Sequence, residues 1–185
     1  MTVNAGFTTA WVLAVAGILL ATGWKRQLLD DVSAPLAVLA AAVLAACGFG
    51  HAAAPKTAAL ICACALLRGA GAGERLQAIF GALSAGFVWS WLRKLYAEDP
   101  VFIIWDERLD GALAAGVLAA AASGRFRAQF AAVTLAAIAA DRFAPAPAGA
   151  WGWLDGLTLS LLAARTVTLL ARGGASLAGR LRPQA

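Results

Sequence analysis

The sequence predicts an all-α integral membrane bundle, formed as one membrane domain over residues 1–185. Only 14% of the residues are charged, against roughly 25% in soluble domains, whereas 62% are hydrophobic and the mean hydropathy is +0.77. A soluble domain of this size could not cover so much apolar surface with so few polar groups. Uncharged stretches of about 20 residues, the length that crosses a bilayer, also occur near the N-terminus. We therefore expect the lipid bilayer to surround the whole chain.

Charged residues and Gly/Pro breaks divide the chain into seven apolar segments, which we predict to be helices. The first two segments are uncharged, and the third has a short apolar part because Lys56 and Arg68 flank it. The segments lie at about 5–24, 34–50, 57–73, 76–92, 107–124, 126–143 and 154–171. A six-helix bundle is the alternative, because the third, fifth and sixth segments are short for a membrane span.

The seventh segment is interrupted by Arg165, about two turns from its C-terminal end. We expect this long side chain to extend along the helix to the nearby membrane surface. The alternative is that Arg165 faces inward and forms a polar stripe with Thr158, Ser160 and Thr166.

The distribution of basic residues predicts that the N-terminus lies outside and the C-terminus inside. Cytoplasmic connections carry an excess of Lys and Arg, and this orientation places ten of the 15 basic residues on the inner side. The inner residues are Lys25, Arg26, Arg68, Arg75, Arg125, Arg127, Arg165, Arg172, Arg180 and Arg182, and the outer ones are Lys56, Arg93, Lys94, Arg108 and Arg142. Because these charges do not cluster on one face, we expect no binding of nucleic acid.

Tryptophan supports the same orientation, because its amphipathic ring favours the level of the lipid headgroups. Five of the seven tryptophans fall at segment ends that this orientation places outside. We predict that these five are interfacial anchors: Trp89, Trp91, Trp105, Trp151 and Trp153.

The outer connection at 93–110, RKLYAEDPVFIIWDERLD, holds half of the ten acidic residues of the chain. Pro100 disfavours helix at the residue before it and ends the fourth helix. Asp106 and Glu107 fall in the first turn of the fifth helix, where they complement its positive N-terminus. The apolar run at 101–105 is too short to span, so it either lies in the membrane plane or dips into the bundle.

Asp110 is not explained by this capping role. It lies one turn after Asp106, at a spacing where like charges repel, and an ionisable residue inside a membrane helix usually faces the bundle interior or water. Two interpretations stay open, a solvated loop whose acids cap a helix and pair with basic neighbours, or a site that responds to cations or protons or docks a partner. The candidate residues are Glu98, Asp99, Asp106, Glu107, Asp110, Arg93 and Arg108.

The order of residues in this connection resembles the YphA-type family, small polytopic membrane proteins of spore-forming Firmicutes. The resemblance rests on Leu95-Tyr96, Asp99-Pro100-Val101 and Trp105-Asp106, which follow a basic, aromatic helix end and precede a further membrane helix. The chain differs in having Ala97-Glu98 between Tyr96 and Asp99 and in being richer in Ala. The resemblance implies an architecture and no catalytic residues. Together with the hydropathy, it implies a multi-pass protein of the bacterial cytoplasmic membrane.

No motif in the sequence indicates catalysis, a metal site or a cofactor; the single histidine, His51, has no acidic neighbour with which to build a zinc site. We therefore expect a non-enzymatic protein that scaffolds, senses or assists a membrane process. Its expected partners are the lipid bilayer and another membrane protein or a second copy of the chain. One alternative is a small transporter or substrate-binding membrane subunit with an acidic outer-facing site. The other is a lipid-modifying enzyme in which Asp99, Asp106 and Asp110 hold a divalent metal.

Overall fold

The computed structural model describes residues 5–104, 106–143 and 149–181, and for residues 102, 108 and 179–181 it describes the backbone alone. The described part is all-helical, which confirms the predicted class; it contains eight α-helices, one 3₁₀ helix and no strand. The α-helices are α1 (Phe7–Ala21), α2 (Lys25–Leu29), α3 (Ala34–Cys47), α4 (Ala53–Arg68), α5 (Ala72–Glu98), α6 (Glu107–Ala122), α7 (Phe126–Phe143) and α8 (Gly149–Leu181). The 3₁₀ helix covers Pro100–Phe102.

Seven of these helices lie at the predicted apolar segments, and the short α2 lies in the first connection. The ends differ from the predicted ones for local reasons. Helix α4 starts before Pro55, because proline is tolerated in a first turn, and it stops at the glycine-rich run that begins at Gly69. Helix α5 continues to Glu98, because no helix breaker occurs before Pro100.

Within the described ranges, one helix is long and apolar enough to cross a membrane by length and composition, over Gly149–Ala178. Three other apolar helical stretches are shorter, at Phe7–Ala21, Ala34–Cys47 and Leu109–Ala122. Length and composition therefore single out α8 alone.

The core lies between α5, α6, α7 and α8, and small residues fill the contacts between them. A Cβ added at Gly116 on α6 would overlap the Ser160 carbonyl oxygen and lie 2.7 Å from the Ala163 Cβ on α8. These two helices therefore pack backbone against backbone, which is how helices associate where no hydrophobic force drives them together. Trp89 and Trp153 are the largest buried side chains in the described part of the chain, and Gly111 lies directly against the Trp89 ring.

Polar contacts between helix termini define two ends of the bundle. The Asp30 end is defined by the contacts Asp30–Phe126 and Glu74–Arg125, and the Asp110 end by Gly6–Asp155, Lys56–Asp141 and Tyr96–Asp110. Helix α1 runs from the Asp110 end to the Asp30 end, and the direction then alternates through α3, α4, α5, α6, α7 and α8. The short α2 lies within the connection at the Asp30 end.

Candidate functional site: polar clusters at the two ends

Asp110 holds the acidic connection against the start of α6. Its side chain is buried, with 8% of the residue exposed, and it accepts hydrogen bonds from the Tyr96 hydroxyl at 3.1 Å and the Ile104 backbone N–H at 2.9 Å. These bonds join the last turn of α5 to the residues that follow the 3₁₀ helix. Burial and the hydrogen bond to Asp110 raise the pKa of Tyr96. The buried carboxylate thus fixes the path of the connection.

The other acidic candidates face outward. Glu98, Asp99, Asp106 and Glu107 are all exposed. The Asp99 carboxylate accepts a hydrogen bond from the Val101 N–H at 3.1 Å and so caps the 3₁₀ helix, and Glu98 lies 4.0 Å from Lys94 in an exposed pair. Among the residues that the structure describes, no three His, Cys, Asp or Glu side chains are grouped so that they could hold a metal ion.

Arg93 lies beside the acidic connection, near the end of α5. Its guanidinium is 5.2 Å from the centre of the Trp89 ring, a distance that permits a cation–π interaction. The negative charges of the Asp141 and Glu107 carboxylates also stabilise the positive charge of this guanidinium. The Arg108 side chain and the whole of Trp105 lie outside the described residues.

Two of the predicted tryptophan anchors are buried. Trp89 and Trp153 are 1% and 2% exposed, so their rings pack against other helices of the bundle and do not face its surroundings. The Trp153 indole N–H points at the Ala137 carbonyl oxygen at 3.4 Å. Trp151 packs against Gly48, and only Trp91 among the described candidates has a largely exposed ring. Ring size and position in a segment cannot distinguish an anchor from a core residue, because close glycines create room for a ring inside.

The opposite end contains a cluster that the sequence did not indicate, centred on Asp30. Its carboxylate accepts a 2.7 Å hydrogen bond from the Phe126 N–H at the start of α7, and ion-pairs with Arg172 at 2.9 Å and Arg165 at 3.1 Å. Burial alone would raise the pKa of Asp30, but the bonds from Phe126 and Arg172 and the charge of Arg165 together hold it below the ordinary value. Asp30 therefore joins the first connection to α7 and α8.

Arg165 faces inward, so the expectation that it extends to the membrane surface is wrong. Only 6% of its side chain is exposed. Besides Asp30, it donates to the Gln129 side-chain oxygen at 3.1 Å, to the Gly124 carbonyl at 3.3 Å and to the Gln27 carbonyl. These partners replace much of the water that the charge loses on burial, although the Arg165 Nε is buried without a partner in the described part of the chain.

Gln129 extends this network into the core. It is fully buried, and its amide donates at 2.7 Å to both the Ser123 carbonyl and the Thr168 hydroxyl. The network thus ties the turn between α6 and α7 to the C-terminal half of α8.

Asp155 plays the equivalent capping role at the Asp110 end. From α8 it accepts three hydrogen bonds of 2.7 Å, from the Gly6 N–H and from the backbone N–H and hydroxyl of Thr9. The first turn of a helix has N–H groups without partners in the helix, and a carboxylate there satisfies them.

The sequence could have suggested that Arg165 has a partner, because a charge inside an apolar segment needs one, but no local pattern identifies Asp30 as that partner.

Comparison of the chain with family models, with curated proteins and with solved structures found no match, so the resemblance to the YphA-type family stays a prediction.

Proposed function

We propose that the chain is a multi-pass protein of the bacterial cytoplasmic membrane, with its N-terminus outside and its C-terminus inside, that serves as a non-enzymatic scaffold, sensor or accessory subunit. The observation that carries the membrane part is the distribution of side-chain size. Most large apolar side chains point away from the bundle, and alanine makes up most of its buried apolar residues, although Trp89, Trp153 and a few others are buried too. This is the reverse of a soluble protein, in which large apolar side chains form the core.

Helix α5 is the clearest example. Its buried face consists mainly of small residues, including Ala78, Gly81, Ala82, Ala85 and Gly86. Its outer face carries exposed large apolar residues at the spacing of one helix face: Leu76, Ile79, Phe80, Leu83, Phe87 and Trp91. In water this stripe would be an aggregation surface, whereas in lipid it is the stable arrangement.

Helix α3 leads to the same conclusion. None of its 14 residues, Ala34–Cys47, is buried. This is unusual for a helix that carries no polar side chain except the terminal cysteine. A helix that is apolar all round belongs in a protein core or in a membrane. Because α3 lies at the edge of the bundle and exposes Leu36, Val38, Leu39 and Val43, with Leu44 packed against the core, a position in the membrane is the one we favour.

Helix length explains why α1, α3, α4 and α6 are not singled out together with α8. Helices of 14–16 residues are about 21–24 Å long at 1.5 Å per residue, which is shorter than a hydrocarbon core of about 30 Å. Helices α5 and α7 are longer, with 27 and 18 residues, and differ from α8 in composition. Short helices are accommodated by local thinning of the bilayer, at a modest cost per ångström.

The non-enzymatic part of the proposal is supported by what the buried and half-buried ionisable groups do. Asp30 and Asp155 each accept bonds from elements distant in sequence, Asp110 joins the end of α5 to the acidic connection, and Lys56 pairs with Asp141 between α4 and α7. These charges hold helices in place, as expected of a rigid membrane platform. The Asp110 end corresponds to the outer side in this proposal.

An alkaline carbonate wash of bacterial membranes tests the membrane part. We expect the chain to stay in the pellet with integral membrane proteins, and its release into the supernatant would contradict the proposal.

Light scattering of the natively expressed, tagged chain in a mild detergent tests the accessory role. We expect the protein mass to exceed the 18.8 kDa of one chain, with a second protein or second copy in fixed ratio. A lone chain whose unfolding temperature rises with one added solute would instead support the transporter alternative.

A further inference from the structure

We propose that the Asp30 end contains a binding site for a phosphate ester with a primary amine, the chemistry of a phosphatidylethanolamine headgroup. The inference rests on the proposed function, because a lipid can supply this group only if the chain lies in a membrane. The site is a cavity between the first connection, the turn from α4 to α5 and the start of α7.

The cavity has a volume of about 170 Å³ and side chains of both charges in its wall. Its wall includes Asp31, Gly69, Gly71, Glu74, Arg125 and Arg127. A shallower depression of about 450 Å³ shares Asp31 and Arg125 with it and opens toward Arg26. One ordered water needs roughly 10–15 Å³ on a comparable measure, so the cavity has room for a group of several heavy atoms.

Glu74 supplies the first specific feature of the site. Its side chain is 8% exposed; one carboxylate oxygen accepts from Arg125 at 3.1 Å, and the other, Oε1, is buried without a partner in the described part of the chain. A buried carboxylate oxygen without a donor is unfavourable, because it has lost water and gained nothing in return. An ammonium group, with three N–H donors and a positive charge, would satisfy Oε1, and the exposed Asp31 would add a second carboxylate.

Arg127 supplies the second feature. Its guanidinium lies against Gly69, 3.2 Å from where a Cβ on that residue would be, and no carboxylate within the described ranges pairs with it. The N-terminus of the 27-residue α5 lies beside it, with Gly71 and Gly73 leaving open space around the first turn. Backbone N–H groups and the helix dipole favour an anion there, and a guanidinium matches the geometry of phosphate.

The two features together select the ligand. A divalent cation would be repelled by Arg125 and Arg127, and inorganic phosphate would leave Glu74 Oε1 without a donor. A group with phosphate and ammonium a few ångströms apart satisfies both. Because the Asp30 end corresponds to the inner headgroup level in the proposed orientation, the membrane lipid is the source to which we commit.

Native mass spectrometry of the full chain in dodecyl maltoside provides the test. The chain is titrated with phosphatidylethanolamine, phosphatidylglycerol and phosphatidylcholine of identical acyl chains, and with free O-phosphoethanolamine. We expect phosphatidylethanolamine to bind at least about tenfold more tightly than phosphatidylcholine, whose quaternary amine has no N–H to donate.

Two pairs of variants separate the roles. Glu74→Gln should lower the affinity for phosphatidylethanolamine about tenfold and leave that for phosphatidylglycerol unchanged, whereas Arg127→Gln should weaken both. Glu98→Gln and Arg142→Gln, exposed positions at the Asp110 end, are the matched controls and should change neither. Arg127→Lys, which keeps the charge, should recover part of the affinity and shows that the loss is not a folding defect.

Equal affinity for the three lipids, or the same loss in Glu98→Gln as in Glu74→Gln, would overturn the inference. Binding of free O-phosphoethanolamine with no preference among lipids would overturn the lipid source. A chain that resists carbonate but shows no headgroup preference contradicts this inference alone. A chain that carbonate releases contradicts the proposed function, and the lipid site with it.

Discussion

Replacement of Asp30 by Asn tests whether the cluster at the Asp30 end holds the bundle together. An asparagine oxygen can still accept from the Phe126 N–H, but the charge that faces Arg165 and Arg172 is lost. The Arg165 side chain is 6% exposed, so it would remain as a buried charge without its carboxylate. Removing one partner of a buried pair costs about 3–5 kcal/mol. Asp30 is itself 17% exposed, so we expect the lower end, about 3 kcal/mol.

Thermal unfolding in detergent, followed by the fluorescence of the seven tryptophans, measures this change. For a chain of this length, about 3 kcal/mol corresponds to a fall in Tm of roughly 6–12 °C. The control is Glu98→Gln, which removes the same charge from an exposed pair with Lys94 and should give no measurable shift. In the double variant Asp30→Asn/Arg165→Met, the buried charge is also gone, and part of the lost stability should return. If Asp30→Asn behaves like Glu98→Gln, the cluster is not a structural support.

The pH dependence of stability provides an independent check of the same cluster. The pKa of Asp30 in the folded protein lies below its ordinary value of 3.8, so the folded state favours the ionised carboxylate. The stability that Asp30 contributes is therefore fully present above pH 3.8 and is lost as the pH falls through the folded-state pKa. Between about pH 5 and pH 3, the wild-type chain should lose more stability than Asp30→Asn does. An equal loss in both proteins would assign the acid sensitivity to other groups.

Three further predictions concern packing, capping and the acidic connection. Gly116→Ala should destabilise the bundle by about 1–3 kcal/mol in thermal unfolding, because the added Cβ would overlap α8. The control is Gly17→Ala on α1, which has open space around it and should be neutral or slightly stabilising. Asp155→Ala should cost about 1–2 kcal/mol and increase amide hydrogen exchange at the start of α1, and unchanged exchange there would argue against the cap. Tyr96 is the single tyrosine of the chain, so an ultraviolet titration reports it alone. The pKa of Tyr96 should lie above 10 in the wild-type chain and fall in Asp110→Asn. The same pKa in both proteins would mean that the two side chains are not in contact.

The sequence predicts the helices well because their apolar runs are interrupted by charge, glycine or proline. Lys56, Arg68 and Pro100 each lie within a few residues of a helix end in the structure. The direction in which a given side chain faces is predicted less well. Trp89 and Trp91 are neighbours on α5, yet one is the centre of the core and the other is exposed.

The Asp30 cluster could not be predicted for a related reason. Its contacts join residues 96 to 142 positions apart, and hydropathy treats each stretch of chain separately. In the sequence, Asp30 is one of two acidic residues in a short polar connection, and Arg165 is a charge near the end of an apolar segment. Only packing brings the two together, because a buried guanidinium and the unpaired N–H groups at the start of α7 need the same carboxylate.

Single-cysteine labelling in intact cells tests the central proposal, a bundle that crosses the membrane with the Asp110 end outside. Cysteine would be placed at exposed Glu98 or at exposed Ser33, beside the Asp30 end, in a background without Cys47, Cys62 and Cys64. We expect a membrane-impermeant maleimide to label position 98 in intact cells and position 33 only after the cells are permeabilised. Labelling of both positions at the same rate in intact cells would contradict the crossing, and labelling of position 33 alone would reverse the orientation.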